Sequence, residues 1–333
     1  MRLLRSFALA LAAALAAAVA VASHAAAQQR DKIVLLLNWY NYGEHAPFYL
    51  GIARGYFAEE RIDLEIQEGR GSGPTIQAVA AGSATFGYAD AGVAIRAIMR
   101  DAPIQIVGIL VQTSPMGLIG FEEKKIAKPA DLVGKTIAMT PGGAVDQMFA
   151  AFARAAGLKE GQYKVVSGDA TTKRNAVINN QADVTTGHIN DQNIFIEDAT
   201  GKKVAVIRYA DYGVNPLNNG IIVRRELLQS NADLVRRFMR ASVKSAEASK
   251  GAAKEAVEAM LKANPKAGKQ TVLMAGFEAT IPLFHSKATM GQRPFRIADA
   301  DMKATVDLLV EFGGLDAAAK GKLETFYTNA YLP

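Results

Sequence analysis

The sequence contains no cysteine. Disulfides, thiolate metal sites, thiol nucleophiles and a lipid-modified N-terminal cysteine are therefore excluded. Histidine is scarce: His24, His45, His188 and His285 are the only four. No HExxH, GxSxG or GxxxxGK[ST] pattern occurs, so zincin, nucleophile-elbow and phosphate-loop chemistry have no motif to stand on. No metal and no cofactor is expected. Dense runs of lysine and arginine are also missing. The 38 basic residues are interspersed with 32 acidic ones, which leaves a formal charge of +6. That balance points to a mildly basic protein that binds no nucleic acid, and it suits an anionic small molecule. With 50% hydrophobic and 21% charged residues, the composition is globular rather than disordered. A length of 333 residues allows two domains.

Residues 1–27 have the pattern of a cleavable export signal. Arg2 and Arg5 precede an uncharged apolar run over 7–22, and Ala25, Ala26 and Ala27 supply small residues at the cleavage position. The run is short for a bilayer span, which needs roughly 20 apolar residues. The expected product is a mature chain starting near Gln28, in the periplasm, without a lipid anchor.

The mature chain alternates short apolar runs with helical patterns. Strands are expected at 32–37, 63–67, 85–88 and 104–110, with helices at 46–56, 74–81 and 91–100 between them. A second series places strands at 118–121, 136–139, 163–166, 184–187, 204–207 and 219–223. Helices are expected there at 145–156, with Gly157 as a stop, at 172–180 and at 194–199. Beyond Glu226 the pattern is helical, over 234–250, 252–262, 270–283, 298–311 and 317–325. Alternating strands and helices imply an α/β fold with largely parallel sheets. Two such series imply two lobes. Residues 28–118 and 222–333 are assigned to the first and 119–221 to the second, with glycine-containing crossings near 117–120 and 218–222.

Ligands of open α/β sheets gather at the carboxyl ends of the strands, so loops in those places are the candidate site. Asn38, Trp39, Tyr40, Tyr42 and His45 follow the first strand and include the only tryptophan. They offer a stacking surface with directed hydrogen bonds, although Trp39 in the core is an equal reading. Gly71 and Ser72, in a Gly/Ser loop, precede one helix, and Gly142 and Gly143 precede another. Backbone N–H groups of such loops can cradle an anion. Asp90 can meet a ligand donor or cap the helix that follows it. His188, Asn190 and Asp191 follow a strand of the second series and can line a cleft from its other side. Asn218 lies at a crossing, where a turn is the alternative. The pairs Arg224–Arg225 and Arg236–Arg237 read as solvated faces.

Leu37-Asn38-Trp39, His45-Ala46-Pro47 and Gly55-Tyr56-Phe57 resemble the opening motif of the NMT1/THI5-like family. Residues 128–138, 176–183 and 289–294 resemble later segments of it, so the likeness spans the mature chain. The resemblance implies a two-lobed periplasmic-binding-protein fold of type II. In it, each lobe is a mainly parallel sheet flanked by helices, and the ligand cleft lies between the lobes. It implies a solute-binding protein of an ABC importer, acting as a monomer with a permease and its ATPase as partners. Contact with the inner membrane would be peripheral, through that permease. The Asn-Trp and His-x-Pro spacing is similar to members that bind thiamine pyrimidines or riboflavin, which implies a flat heteroaromatic ligand. An anionic solute such as an alkanesulfonate, taurine, nitrate or a carboxylate, held by the glycine loops, is one alternative, and a periplasmic sensor that presents its ligand to a receptor is another. The family also holds pyrimidine-synthesising enzymes. Their lysine and histidine, aligned through Gly82 and Gly87, fall here on Ala89 and Val93, which disfavours that activity.

Overall fold

A computed structural model of the chain describes residues 30–333. The export signal expected over 1–27, with His24, lies outside the described residues. Among the described residues there are ten strands, β1 (Asp31–Leu36), β2 (Ile62–Gln67), β3 (Phe86–Asp90), β4 (Ile104–Ile109), β5 (Met116–Phe121), β6 (Thr136–Met139), β7 (Lys164–Ser167), β8 (Val184–His188), β9 (Val204–Arg208) and β10 (Asn219–Arg224). They form two sheets of five, ordered β2-β1-β3-β10-β4 and β7-β6-β8-β5-β9. The two orders are the same pattern used twice.

In the first sheet β1 pairs in parallel with β2 and β3, and β10 runs antiparallel to both β3 and β4. In the second, β6 is parallel to β7 and β8, and β5 is antiparallel to β8 and β9. The reversed strand of each sheet is the first one after the chain has changed lobes. It enters from the cleft end, where the parallel strands finish, so it must run against them. The changes of sheet fall between Ile109 and Met116 and between Arg208 and Asn219. Boundaries at 118/119 and 221/222 therefore fall inside β5 and β10, each of which pairs wholly within one sheet.

The helices of eight or more residues are α1 (Ala46–Ala53), α2 (Ser72–Ala81), α3 (Ala91–Ile98), α4 (Ala144–Ala155), α5 (Ala170–Ile178), α6 (Gln192–Thr200), α7 (Ala232–Ser249), α8 (Ala253–Ala263), α9 (Gln270–Thr280) and α10 (Asp299–Glu311). They follow the apolar periodicity closely. Gly157 ends the turn after α4 at φ +73°, the left-handed conformation that suits glycine. The helix expected over 270–283 stops at Thr280, because Pro282 cannot donate to the ladder, and Ile281–Phe284 tightens into a 3-10 turn.

The C-terminal helices belong mainly to the first lobe. Phe238 of α7 stacks on Phe86 of β3 with centroids 3.9 Å apart, inside a cluster with Phe48, Phe57, Tyr88 and Phe277. Arg237 is not a solvated residue as its sequence suggested. It is 6% exposed and donates to Asp31, Asp233 and the Glu60 carbonyl, so it staples α7 to the start of β1. No helix among the described residues is long and apolar enough to cross a membrane.

Candidate functional site

The loop after β1 is built against the loop after β2. Leu37 donates its N–H to the Gln67 carbonyl, while Gly69 and Gly71 donate back to the Trp39 and Asn38 carbonyls, at 2.8–3.0 Å. A side chain at Gly69 would collide with the Leu37 carbonyl, so this close pairing of loops requires glycine there. Asn38 Oδ1 lies 2.9 Å from His45 Nε2. The His45 ring meets Tyr42 edge-on at 4.4 Å and Tyr88 at 5.5 Å. Burial pushes the His45 imidazole down to about 3, so it is neutral and acts as a rigid spacer.

The second lobe presents the loop between β6 and α4. Asp146, in the first turn of α4, accepts from the Thr140 N–H at 2.6 Å and from the Thr186 hydroxyl. Gly143 donates to the Thr140 carbonyl at 2.9 Å. The Asp146 carboxylate thus closes its own loop. Burial raises its pKa, and Lys173 opposes that rise.

Between these loops lies a cavity open to solvent at its mouth, lined from the first lobe by Asn38, Trp39, Tyr42, Gly71 and Ser72. The second lobe lines it with Thr140, Gly143, Asp146, Lys173, His188, Asp191 and Gln192, besides the backbone of 144, 145 and 187. Both proposed glycine loops reach it, each at the start of a helix. Three buried polar atoms of its wall have no partner among the described residues: Thr140 Oγ1, His188 Nε2 and Gln192 Oε1. Burial pushes the His188 imidazole down to about 3, with nearby Lys173 adding to the effect.

Eight of the sequence-derived candidates line the cavity: Asn38, Trp39, Tyr42, Gly71, Ser72, Gly143, His188 and Asp191. The other six support the wall or face elsewhere. Tyr40 donates its hydroxyl to Asp191 at 2.9 Å across the cleft, and His45 backs Asn38. Asp90 caps α3, its Oδ1 accepting from the Val93 N–H at 2.9 Å. Asn218 donates to the other Asp90 oxygen at 3.1 Å. Gly142 faces a separate groove beside α2 and α3. Asn190 donates to Glu44 at 3.0 Å and to the Thr280 hydroxyl at 2.7 Å, which ties the second lobe to the first.

Thr140, Asp146, Lys173 and Gln192 are lining residues that sequence reasoning missed. Thr140, Asp146 and Gln192 lie within or beside segments already placed at a strand's carboxyl end, which was the available signal, whereas Lys173 carried none. Glu44 was missed as a support residue. Its fully buried carboxyl is pushed up by burial, and donors from Asn219, Asn190, Tyr88 and Tyr42 pull it back down. The positions aligned with the enzyme lysine and histidine, Ala89 and Val93, are buried in β3 and α3.

A family model described as NMT1/THI5 like matches residues 42–256. The 4-amino-5-hydroxymethyl-2-methylpyrimidine phosphate synthase of Legionella pneumophila is 26% identical over 262 residues, 78% of this chain and 82% of its own. The riboflavin-binding protein RibY of Chloroflexus aurantiacus is 25% identical over 314 residues, 91% and 86% of the two chains. Among solved structures, the periplasmic aliphatic sulphonate binding protein SsuA of Escherichia coli superposes with a TM-score of 0.68. The match covers 91% of this chain and 94% of that one at 15% identity, so the likeness is one of fold. The architecture is that of two-lobed type II periplasmic binding proteins.

Proposed function

The chain belongs to the NMT1/THI5-like family, and from that premise we propose that it is the solute-binding component of an ABC importer. It captures a small heteroaromatic molecule between its lobes and delivers it, unchanged, to a membrane permease energised by an ATPase. The observation that carries this reading is the cavity shared by both lobes, with the Trp39 ring on one side and unpartnered polar atoms on the other. Aromatic walls with a few directed polar groups are the usual make-up of small-molecule sites. Cleft closure is then a population shift, driven by contacts that the ligand makes only when both lobes surround it. The relative named for riboflavin binding favours a flat ring, and so does the relative named as a pyrimidine phosphate synthase. Against an enzymatic role stand Ala89 and Val93, at the positions aligned with a catalytic lysine and histidine. Export through the N-terminal signal places the monomer in the periplasm.

The test is native mass spectrometry of protein purified from the periplasm, followed by denaturation and identification of what is released. An intact heteroaromatic molecule, in one-to-one ratio, is the expected result. A covalently altered product that accumulates with turnover would overturn the binding-protein reading. Trp39→Ala is expected to weaken rebinding of the released molecule by roughly tenfold or more, on the order of an aromatic stacking pair.

A further inference from the structure

The cavity wall carries a single cation. Lys173 stands on the first turn of α5 and is only 5% exposed. Its Nζ lies 5.6 Å from the centroid of the Trp39 ring. Among the described residues no hydrogen bond or ion pair within 4 Å engages this ammonium. Burial disfavours its charge, and only the more distant Asp146 and Asp191 favour it. The side chain is buried but its ammonium lines the cavity, with the Trp39 ring as its neighbour and no oxygen of the described residues bonded to it. Its retention asks for a partner that arrives from outside.

The two carboxylates of the wall do not fill that role, because their oxygens are already engaged. Asp146 is held by Thr140 and Thr186. Asp191 is held by the Tyr40 hydroxyl at 2.9 Å and by Gln192 Nε2 at 2.7 Å. Both also sit at the N-terminal ends of helices, α4 and α6, whose dipoles offset negative charge. The same cavity lining also holds the Thr140 hydroxyl, which has no partner among the described residues. An ammonium and a hydroxyl together suit an anionic oxygen group.

We propose that the ligand carries an anionic oxygen substituent on its ring, and that Lys173, assisted by Thr140 Oγ1, is the residue that selects it. This rests on the reading of the site as a pocket for a flat ring. A substituent on a ring lying against Trp39 reaches the ammonium, because the ammonium stands across the cleft only 5.6 Å from the centroid of that ring. Carboxylate, sulfonate and phosphate share the required chemistry, so the probes distinguish them.

The experiment is calorimetric titration of the mature protein with matched pairs. These are nicotinate and nicotinamide, orotate and uracil, benzenesulfonate and benzenesulfonamide, phenyl phosphate and phenol. Acetate and isethionate serve as ringless anions. The expected result is at least one pair whose anionic member binds ten times tighter or more. In Lys173→Met that preference should vanish. The thermal midpoint of the ligand-free variant should hold or rise, since a buried unpaired charge has gone. Thr140→Val should weaken the anionic member alone, by a smaller factor. Equal or tighter binding of the neutral members would overturn the role of Lys173 and leave the ring reading standing. An acid preference unchanged in Lys173→Met would also overturn it. Ringless anions bound in a Lys173-dependent way would sustain the lysine and overturn the ring. Failure of every probe would overturn both.

Discussion

At the scale of single residues, the buried histidines make the protein acid-sensitive in a defined way. His45 Nε2 faces the Asn38 carbonyl oxygen and Nδ1 faces the Tyr42 N–H at 3.5 Å. The imidazole therefore donates at one nitrogen and accepts at the other, which requires its neutral form. Its folded pKa of about 3 lies below the unfolded value of about 6.5. The native state thus binds fewer protons over that interval, and stability is lost as pH falls below about 6.5. Between pH 7 and pH 5 one such histidine removes about 2 kcal/mol. His45→Gln, which keeps a donor near Asn38, is expected to lose less stability than the wild type over that range, by about this amount. Urea unfolding at the two pH values measures it, and parallel losses in both proteins would refute the assignment. Some of these roles were legible in the sequence: Trp39 and Asn38 follow a strand, and their types suit a ligand. Lys173 was not legible, because a lysine in the first turn of a polar helix reads as a solvent-facing residue. Its burial comes from Trp39, 134 positions earlier in sequence, and from the wall around it. Arg237 misled for the same reason, since its partners Asp31 and Glu60 lie in another part of the chain.

At the scale of elements, runs and periodicities located nearly every strand and helix, because those patterns report which face of a segment is buried. They did not report strand order or which elements meet across the cleft. The contact between the β8–α6 turn and α9 is a case in point. Asn190 reaches Glu44 and Thr280 from the second lobe, and its carbonyl packs on Gly276. A β-carbon at Gly276 would lie 2.8 Å from that oxygen, closer than such atoms approach. Gly276→Ala is therefore expected to hold the lobes apart. The ligand-free variant should show a larger radius of gyration by small-angle scattering than the wild type. It should also release ligand faster, with both lobes still folded by circular dichroism. Asn190→Ala is expected to weaken ligand binding by roughly tenfold, on the scale of one or two lost hydrogen bonds, without touching the cavity. An unchanged radius of gyration in the first variant and unchanged affinity in the second would exclude this contact as a determinant of closure.

At the scale of the whole molecule, two sheets share one pattern of strand order, and each contributes loops from the carboxyl ends of its parallel strands to the cavity. Addition of the released ligand is expected to narrow the distribution of scattering profiles toward a more compact form. A profile indifferent to ligand would count against closure as the working motion. By itself the sequence determined the alternation of elements, the two-lobed α/β class, the loops at strand ends and the family likeness. These depend on local propensity and on short-range patterns of apolar residues. Only the tertiary structure decided which side chains share the cavity, which carboxylates are already satisfied and which ammonium is left without a partner. Those properties arise between residues as far apart as Tyr40 and Asp191, 151 positions in sequence. Their distance and burial are set by how two separately patterned lobes come together, and no local pattern encodes that.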